Sequence, residues 1–185
     1  NSFILLPIPL FILMGEVMFQ SKIAPTLIHV LGKWMGKLPG RLSLLAVASG
    51  TLFSTLTGTS IASVAMLGST LVPEMEAQGY KKPMSLGPIM GSGGLAMLIP
   101  PSALAVLCGA IGEISISRIL IGIIVPGLVV AAIMATYIIC RCSLQPELAP
   151  TYDVEKVPLG EKVLDTVKYV LPQGFVIFAV IGLMF

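Results

Sequence analysis

The chain contains TLTGTSIAS at residues 55–63 and GSGGLAMLIPPS at residues 91–102. Each stretch interrupts a long apolar run, because residues 42–73 and residues 83–112 carry no charge. Either run is long enough to enter a bilayer, yet Gly, Pro, Ser and Thr break it near its middle. In lipid, non-helical backbone persists only where protein buries it or where it lines a watery cavity. Two interrupted apolar segments in succession therefore predict a midplane binding site of a membrane transporter.

Composition also indicates a membrane protein. Of the 185 residues, 56% are hydrophobic and 11% are charged, whereas about a quarter of the residues in a globular domain are charged. The net charge of +2 gives no indication of nucleic-acid binding, because the charges cluster at the ends of apolar segments. The chain opens on Asn1 and stops at Phe185 inside an apolar run, which indicates a piece of a longer permease. Three cysteines without metal or redox spacing are interpreted as small apolar fillers, and no resident cofactor is predicted: Cys108, Cys140 and Cys142.

The first forty residues predict two helices of different character. Residues 1–20 predict a transmembrane helix, or the latter part of one, with Glu16 interpreted as an interface carboxylate rather than an ion ligand. Residues 21–40 predict an amphipathic arm helix that lies in the membrane interface, anchored by Trp34, with His29 on its polar face. Its apolar residues recur at three- and four-residue steps: Ile23, Leu27, Val30, Leu31, Trp34 and Met35.

Residues 41–82 predict a re-entrant hairpin and a cytoplasmic connection. A single crossing would place the basic residues of 33–41 and the basic pair at 81–82 on opposite sides of the membrane. A hairpin keeps both on one side, as the positive-inside rule favours. A continuous helix over residues 42–73 would also be about 48 Å long, well beyond a hydrocarbon core of about 30 Å. Two half-length arms that meet at residues 57–60 fit better.

The next two segments predict membrane crossings. Residues 83–113 predict a broken transmembrane helix, interrupted at Gly91–Gly94 and again at Pro100-Pro101, where two successive residues lack a backbone N–H. Residues 114–142 predict a transmembrane helix in which Pro126-Gly127 is a tolerated kink.

The remaining residues complete an all-α integral membrane fold. Residues 143–168 predict a polar cytoplasmic linker, and residues 169–185 predict the start of a further transmembrane helix. In this multi-pass threading, ten of the eleven basic residues lie on the cytoplasmic face and Arg118 lies opposite.

Chemistry at the two breaks favours a cation and an anion rather than a proton relay. A broken helix exposes C=O groups, which with Ser and Thr hydroxyls suit Na⁺, and N–H groups, which suit an anion. No Asp, Glu or His lies within either run, and a proton relay ordinarily uses such a residue. Small residues in membrane helices most often serve packing, but two breaks together favour a site. The candidate ion- and substrate-binding residues are Ser54, Thr57, Gly58, Thr59, Ser60, Ser63, Gly91, Ser92, Gly93, Gly94, Pro100, Pro101 and Ser102. The Na⁺ candidates among them are Thr57, Thr59, Ser60, Ser92 and Ser102.

Several short motifs resemble one transporter family, the large membrane subunit of tripartite ATP-independent periplasmic (TRAP) transporters, also described as DctM-like permeases. The resemblance covers about residues 3–142. The motifs that carry it are ILMGE at 12–16, GTSIAS at 58–63, PEM at 73–75, IIVPG at 123–127 and above all IPPS at 99–102.

The resemblance implies an elevator-type secondary transporter of the bacterial inner membrane, built from inverted repeats that each contribute a re-entrant hairpin. It implies a small DctQ-like membrane subunit, a periplasmic solute-binding protein, an organic acid such as a C4-dicarboxylate or a sialic-acid-like substrate, and Na⁺ as the coupling ion. The chain would hold about the first repeat and would not transport by itself. Its hairpin tip is Gly58-Thr59-Ser60 where the family most often has Gly-Ser-Gly or Gly-Ser-Ser, so the hydroxyl is kept at Thr59.

Three other functions are weighed against this interpretation. A stand-alone Na⁺- or H⁺-coupled organic anion symporter would share the architecture but need no binding protein. An intramembrane serine protease would use Ser92 as nucleophile, yet the single histidine, His29, lies on the predicted surface helix and the nucleophile needs a base within reach. A structural or assembly subunit would not need broken helices. The chain is therefore predicted not to be an enzyme.

Overall fold

The computed structural model describes residues 23–36, 38–57, 60–100, 102–150 and 159–171, together with Leu13 and Phe175. These residues contain helices and no strand, which confirms the predicted all-helical fold. Nearly all of the predicted segments 1–20 and 169–185 lies outside them. The α-helices are α1 (Ile23–Met35), α2 (Arg41–Thr57), α3 (Ser60–Ala77), α4 (Lys82–Leu95), α5 (Ala103–Ile111), α6 (Ile116–Leu144) and α7 (Leu159–Asp165). A 3₁₀ turn at Pro146–Leu148 follows α6, and a π-helical turn at Thr166–Val170 follows α7.

Helices α2, α3 and α4 pack together as one three-helix unit. The Ser43 hydroxyl donates a hydrogen bond to the Met84 carbonyl, and Gly50 lies against Ser92, so α2 and α4 run parallel. Helix α3 runs antiparallel to both. The residues that fill the space between the three helices are buried: Leu42, Leu45, Leu67, Leu71, Met75 and Ile89. Because lipid tails are as apolar as these side chains, van der Waals packing rather than the hydrophobic effect would hold the unit together in a bilayer.

Helix α3 ends at a glycine turn rather than at its proline. Gly79 has φ +78°, and the Tyr80 N–H donates to the Met75 carbonyl at 2.9 Å while the Gly79 N–H donates to the Glu76 carbonyl at 3.0 Å. This is the Schellman arrangement, which a residue in the left-handed region permits. Pro73 removes a single helical hydrogen bond, so the helix continues through it to Ala77.

The first break predicted within residues 83–113, at Gly91–Gly94, is wrong. Residues 91–94 lie inside α4, which continues to Leu95, because glycine permits other backbone conformations but does not prevent the helical one. The helix ends instead over residues 96–102. There the prolines at 100–101 supply no N–H groups, and Ser102 takes an extended conformation with φ −117° and ψ 117°. The predicted second break is therefore the single interruption that the structure describes between α4 and α5.

Helix α6 is the one described helix long and apolar enough to cross a membrane. Its 29 residues correspond to about 43 Å, and it begins at Ile116 and ends at Leu144, two residues later at each end than predicted. Only 11% of its most apolar 18-residue window is buried within the chain. Pro126 lies in its interior. Most of the surface of α6 is thus apolar and faces outward.

The broken pair α4–α5 runs antiparallel to α6 over nearly its whole length. The Met84 and Cys142 sulfur atoms lie 3.7 Å apart at one end. A β-carbon on Gly109 would lie 3.0 Å from Ile116 at the other end. One continuous helix therefore lies beside one interrupted helix of similar span.

Helix α1 contacts the helix of the predicted linker. The Lys33 ammonium lies 2.7 Å from the Asp165 carboxylate and 2.8 Å from that of Glu161, and the Trp34 indole N–H donates to the Thr166 hydroxyl at 2.9 Å. We call this set of contacts the Lys33 clamp. The Trp34 side chain is nevertheless 48% exposed, and its place in a membrane interface stays a prediction.

Candidate functional site

The inner ends of the two hairpin arms, at Thr57 and Ser60, lie at the same level of the three-helix unit as the helix break. Helix α2 runs parallel to α4 with residue 43 beside 84 and residue 50 beside 92. The same register brings the end of α2, at Thr57, to the level of residue 99. In the antiparallel α3, Val64 lies against Gly93, which brings the start of α3 to the level of residues 96–97. Both arms of the hairpin therefore end opposite the break.

The break leaves two carbonyl groups, one of them on the buried Ala96, without their helical donors, and sequence reasoning did not single them out. In an α-helix the N–H of residue i bonds the carbonyl of residue i−4, so Pro100 and Pro101 leave the carbonyls of Ala96 and Met97 without their helical donors. The carbonyls of Gly93 and Gly94, by contrast, accept hydrogen bonds from the backbone N–H groups of residues 96 and 97 at 3.2 and 3.3 Å. The i−4 rule applied to the proline pair would have identified the two carbonyls from sequence alone.

Ser102 begins the second half of the broken helix. It is buried, and its hydroxyl oxygen accepts a hydrogen bond from the Ala105 N–H at 3.3 Å, as an N-cap residue does. A hydroxyl oxygen has two lone pairs, so capping leaves one for another partner. The N–H groups of the first turn of α5 point towards the break, where a helix dipole favours negative charge.

Small residues bring α4 into close contact with α2, α3 and α6. Ser92 is buried against Gly50, and its hydroxyl donates to the Ile89 carbonyl at 2.8 Å. A β-carbon on Gly93 would overlap Val64, and one on Gly91 would overlap the end of Met134. Ser63 is also buried and Ser60 is half-buried, whereas a β-carbon on Gly94 would meet open space. Packing is thus the role that these contacts give to Ser92, Gly91 and Gly93, and ion binding there stays a prediction.

Other predicted site residues are placed by backbone only or lie outside the described residues. Ser54 and Thr57 belong to the last turns of α2. Gly58, Thr59 and Pro101 fall outside the described residues, and Pro100 is buried at the break.

The break does not coincide with the cavity between α4 and α6, nor, among the described residues, with a cluster of metal-binding side chains. The cavity, of about 260 Å³, lies between α4 and α6, and no candidate site residue is among those that line it: Pro83, Met84, Gly87, Pro88, Met134, Tyr137 and Ile138. Within the part of the chain that the structure describes, no three His, Cys, Asp or Glu residues come together in a way that could hold a metal ion. The oxygen atoms at the break are carbonyls and hydroxyls, which are ligands for a monovalent cation.

Comparison with known proteins matches the whole chain to one family. The family model described as "Tripartite ATP-independent periplasmic transporter, DctM component" matches residues 1–185. The chain is 32% identical over 179 residues to the ectoine TRAP transporter large permease protein TeaC of Halomonas elongata, with 97% of this chain and 41% of that protein covered. It is 34% identical over 150 residues to the C4-dicarboxylate TRAP transporter large permease protein DctM of Pseudomonas aeruginosa, with 80% and 35% covered. A putative TRAP transporter large permease protein of Haemophilus influenzae is 35% identical over 128 residues, with 69% and 32% covered. The chain thus spans between 32% and 41% of the length of these relatives.

Proposed function

The chain belongs to the DctM component family of tripartite ATP-independent periplasmic (TRAP) transporters, and from this membership we propose that it forms part of the large membrane subunit of a Na⁺-coupled importer of organic acids. A periplasmic solute-binding protein delivers the substrate, and a small membrane subunit completes the complex in the bacterial inner membrane. The observation that carries the proposal is the match of the family model over all of residues 1–185.

The substrate class follows from the relatives and from the charge of the break. The names of two relatives specify ectoine and C4-dicarboxylates, and both compounds carry a carboxylate. Residues 83–112 contain no acidic side chain that would repel an anion, and the α5 N-terminus supplies N–H groups there. An organic acid is therefore the substrate that best fits this half of the site.

The coupling ion is bound by oxygen atoms from both breaks. The carbonyls of Ala96 and Met97 and the hydroxyl of Ser102 are the ligands from one break, and the hydroxyl of Ser60 is a ligand from the other. Thr59, which lies outside the described residues, stays a candidate ligand from the sequence. All of these ligands are uncharged, as suits a monovalent cation whose hydration shell they replace.

Transport proceeds by an elevator movement of the three-helix unit. The close contacts at Gly50 and Gly93 support movement of α2, α3 and α4 as a rigid body that carries the break with it. Helix α1 is the arm that connects this moving body to the fixed part of the permease.

Uptake of a radiolabelled organic acid into proteoliposomes tests the proposal. The vesicles hold the complete large permease and its small subunit, and each assay runs with and without Na⁺ and with and without the solute-binding protein. We expect uptake that requires both. Uptake that needs Na⁺ but no binding protein would indicate a stand-alone symporter. Uptake that does not depend on Na⁺ would contradict the proposed coupling.

A further inference from the structure

Gly127 on the continuous helix α6 touches the broken segment at its backbone. It is one of the buried residues of α6, and a β-carbon there would lie 2.9 Å from the Leu98 carbonyl oxygen and 3.2 Å from the Leu98 carbonyl carbon. It would also lie 2.9 Å from Cγ1 of Ile99. Real β-carbons do not approach an oxygen so closely, so a larger residue at position 127 must shift either the Leu98 carbonyl group or α6 so that the two move apart.

The other glycine near this point of α6 has no such neighbour. A β-carbon on Gly122, five residues earlier on the same helix, would meet nothing within 4 Å. The close approach is therefore specific to Gly127 and is not a general consequence of glycine in α6.

The Leu98 carbonyl directly follows the two carbonyls that the prolines release. The Leu98 carbonyl shares a planar peptide unit with the Ile99 N–H, which bonds the Leu95 carbonyl at 3.0 Å. The Leu98 N–H bonds the same Leu95 carbonyl at 3.0 Å, and its peptide unit carries the Met97 carbonyl. A displacement of the Leu98 carbonyl therefore disturbs the turn that orients the Met97 carbonyl. Contact with Gly127 fixes the Leu98 carbonyl on the α6 side. That contact thereby supports the turn in which the Met97 N–H bonds the Gly94 carbonyl at 3.3 Å and the Leu98 N–H bonds the Leu95 carbonyl at 3.0 Å, the two bonds that orient the Ala96 and Met97 carbonyls.

We propose that Gly127 is a positioning residue for the cation site: it lets α6 contact the Leu98 carbonyl and so holds the Ala96 and Met97 carbonyls in their ligating orientation. The inference rests on the proposed Na⁺ coupling and adds to it a residue of a different helix. Gly127 then has a role beyond the tolerated kink that the sequence indicates.

Comparison of Gly127→Ala with Gly122→Ala in the complete permease tests this role. The Na⁺ concentration for half-maximal uptake and the maximal rate are measured separately in proteoliposomes, and the thermal midpoint of the detergent-solubilised permease is measured over a range of Na⁺ concentrations. For Gly127→Ala we expect half-saturation to rise on the order of tenfold, equivalent to about 1.4 kcal/mol, with a correspondingly weaker stabilisation by Na⁺. Gly122→Ala should match the wild type in both.

A double variant separates the carbonyl contact from side-chain crowding. Gly127→Ala with Ile99→Ala removes the clash with the Ile99 side chain but leaves the clash with the Leu98 carbonyl, so half-saturation should stay raised. The double variant is also the one measured if Gly127→Ala alone does not fold. Wild-type half-saturation in the double variant would overturn the inference.

The controls distinguish failure of the inference from failure of the proposed function. A wild-type permease that responds to Na⁺, with Gly127→Ala indistinguishable from Gly122→Ala, would contradict the role of Gly127 alone. A wild-type permease that ignores Na⁺ would contradict the proposed coupling and this inference together.

Discussion

At the scale of single residues, Pro100 and Pro101 leave two carbonyl groups without their helical hydrogen-bond donors, and the proposed cation site depends on these carbonyls. Pro100→Ala with Pro101→Ala would restore N–H donors for the Ala96 and Met97 carbonyls. Because proline costs a helix interior about 3 kcal/mol, we expect the double variant to be more stable to heat without Na⁺ and to respond less to Na⁺. Thermal midpoints with and without Na⁺ measure both effects. A double variant with normal Na⁺ stabilisation would remove these carbonyls from the site.

Ser102 has two possible roles that two substitutions separate. Ser102→Ala removes a cap worth about 1 kcal/mol, whereas glycine at an N-cap costs only a few tenths. If the hydroxyl also binds Na⁺, both variants should need more Na⁺ for half-maximal uptake although only Ser102→Ala is clearly less stable. Thr59→Ala should likewise raise the Na⁺ concentration needed for half-maximal uptake. Wild-type Na⁺ dependence in Ser102→Gly would leave Ser102 with capping alone.

Single residues also mark the limit of prediction from sequence. The Pro-Pro-Ser motif predicts the break correctly, because missing N–H groups act through covalent structure and are independent of packing. The neighbouring glycines mislead, because glycine only permits a break, and the close contact of Gly93 with Val64 is a reason for glycine that depends on another helix. Gly127 illustrates the same difficulty, since its neighbour Leu98 is distant in sequence.

At the scale of helices, close packing of α3 against α4 should be sensitive to one methyl group. A β-carbon on Gly93 would overlap Val64 and would lie 3.4 Å from the Ser60 carbonyl oxygen. Overpacking of this kind typically costs about 1–3 kcal/mol, so Gly93→Ala should lower the thermal midpoint of the permease. The matched control is Gly94→Ala, since a β-carbon on Gly94 meets open space. Equal midpoints for the two variants would contradict the packing.

The Lys33 clamp should hold α7 against α1 at physiological pH. Hydrogen bonds to Asp165 and then to Glu161 raise the pKa of Lys33 above its ordinary value of 10.5. A raised pKa in the folded state stabilises the fold fully below the ordinary value, and this contribution disappears as the pH rises through the raised value. Titration of Lys33 should therefore not weaken the clamp between pH 7 and pH 9, as hydrogen exchange of the amides of α7 can verify.

Charge reversal tests the same clamp without a change of pH. Lys33→Glu places like charges beside Glu161 and Asp165, so the amides of residues 159–166 should exchange faster. Replacement of both acidic residues by lysine in the same chain should restore part of the protection, and salt should weaken the wild-type contact. The control is Lys82→Glu, an exposed reversal on another helix. Unchanged exchange in Lys33→Glu would contradict the clamp.

Helix existence is better predicted from the sequence than helix ends. Hydrophobic runs and turn residues predict α1, the hairpin arms, the broken helix and α6. In lipid the backbone N–H and C=O groups of each apolar run must bond one another, and a helix is the structure in which a single run does so. The end of α3 beyond Pro73 depends on the Schellman bonds at Gly79. The pairing of α1 with α7 depends on side chains more than 120 residues apart, which local patterns do not connect.

At the scale of the whole molecule, the two ends of the hairpin and the end of α6 come together. The Leu42 N–H lies 3.4 Å from the Tyr80 hydroxyl, the Lys81 N–H donates to the Leu148 carbonyl at 3.0 Å, and a β-carbon on Gly40 would lie 2.6 Å from Cys142. The turn at Glu113 lies at the opposite end of α6, about 43 Å away by helix length. This arrangement is the one that the distribution of basic residues predicts for a hairpin that enters and leaves on one side. Its orientation in a membrane stays a prediction.

One-sided labelling of introduced cysteines tests that orientation. Leu38, Glu76 and Glu113 are exposed and suit the substitution, whereas Gly40 does not, because it is buried against Cys142. The exposed native cysteines, Cys108 and Cys140, are first replaced by alanine. A membrane-impermeant thiol reagent should then reach Leu38→Cys and Glu76→Cys from the cytoplasmic side.

The same reagent should reach Glu113→Cys only from the periplasmic side. This third position is the internal control, because it shows that the membrane is sealed and that the reagent distinguishes the two sides. If Leu38→Cys and Glu76→Cys were instead labelled from opposite sides, α2 and α3 would have to cross the membrane as one segment. The antiparallel packing of α2 and α3 and the common level of the two breaks would then be incompatible with the membrane-inserted chain, and the proposed cation site would be lost with them.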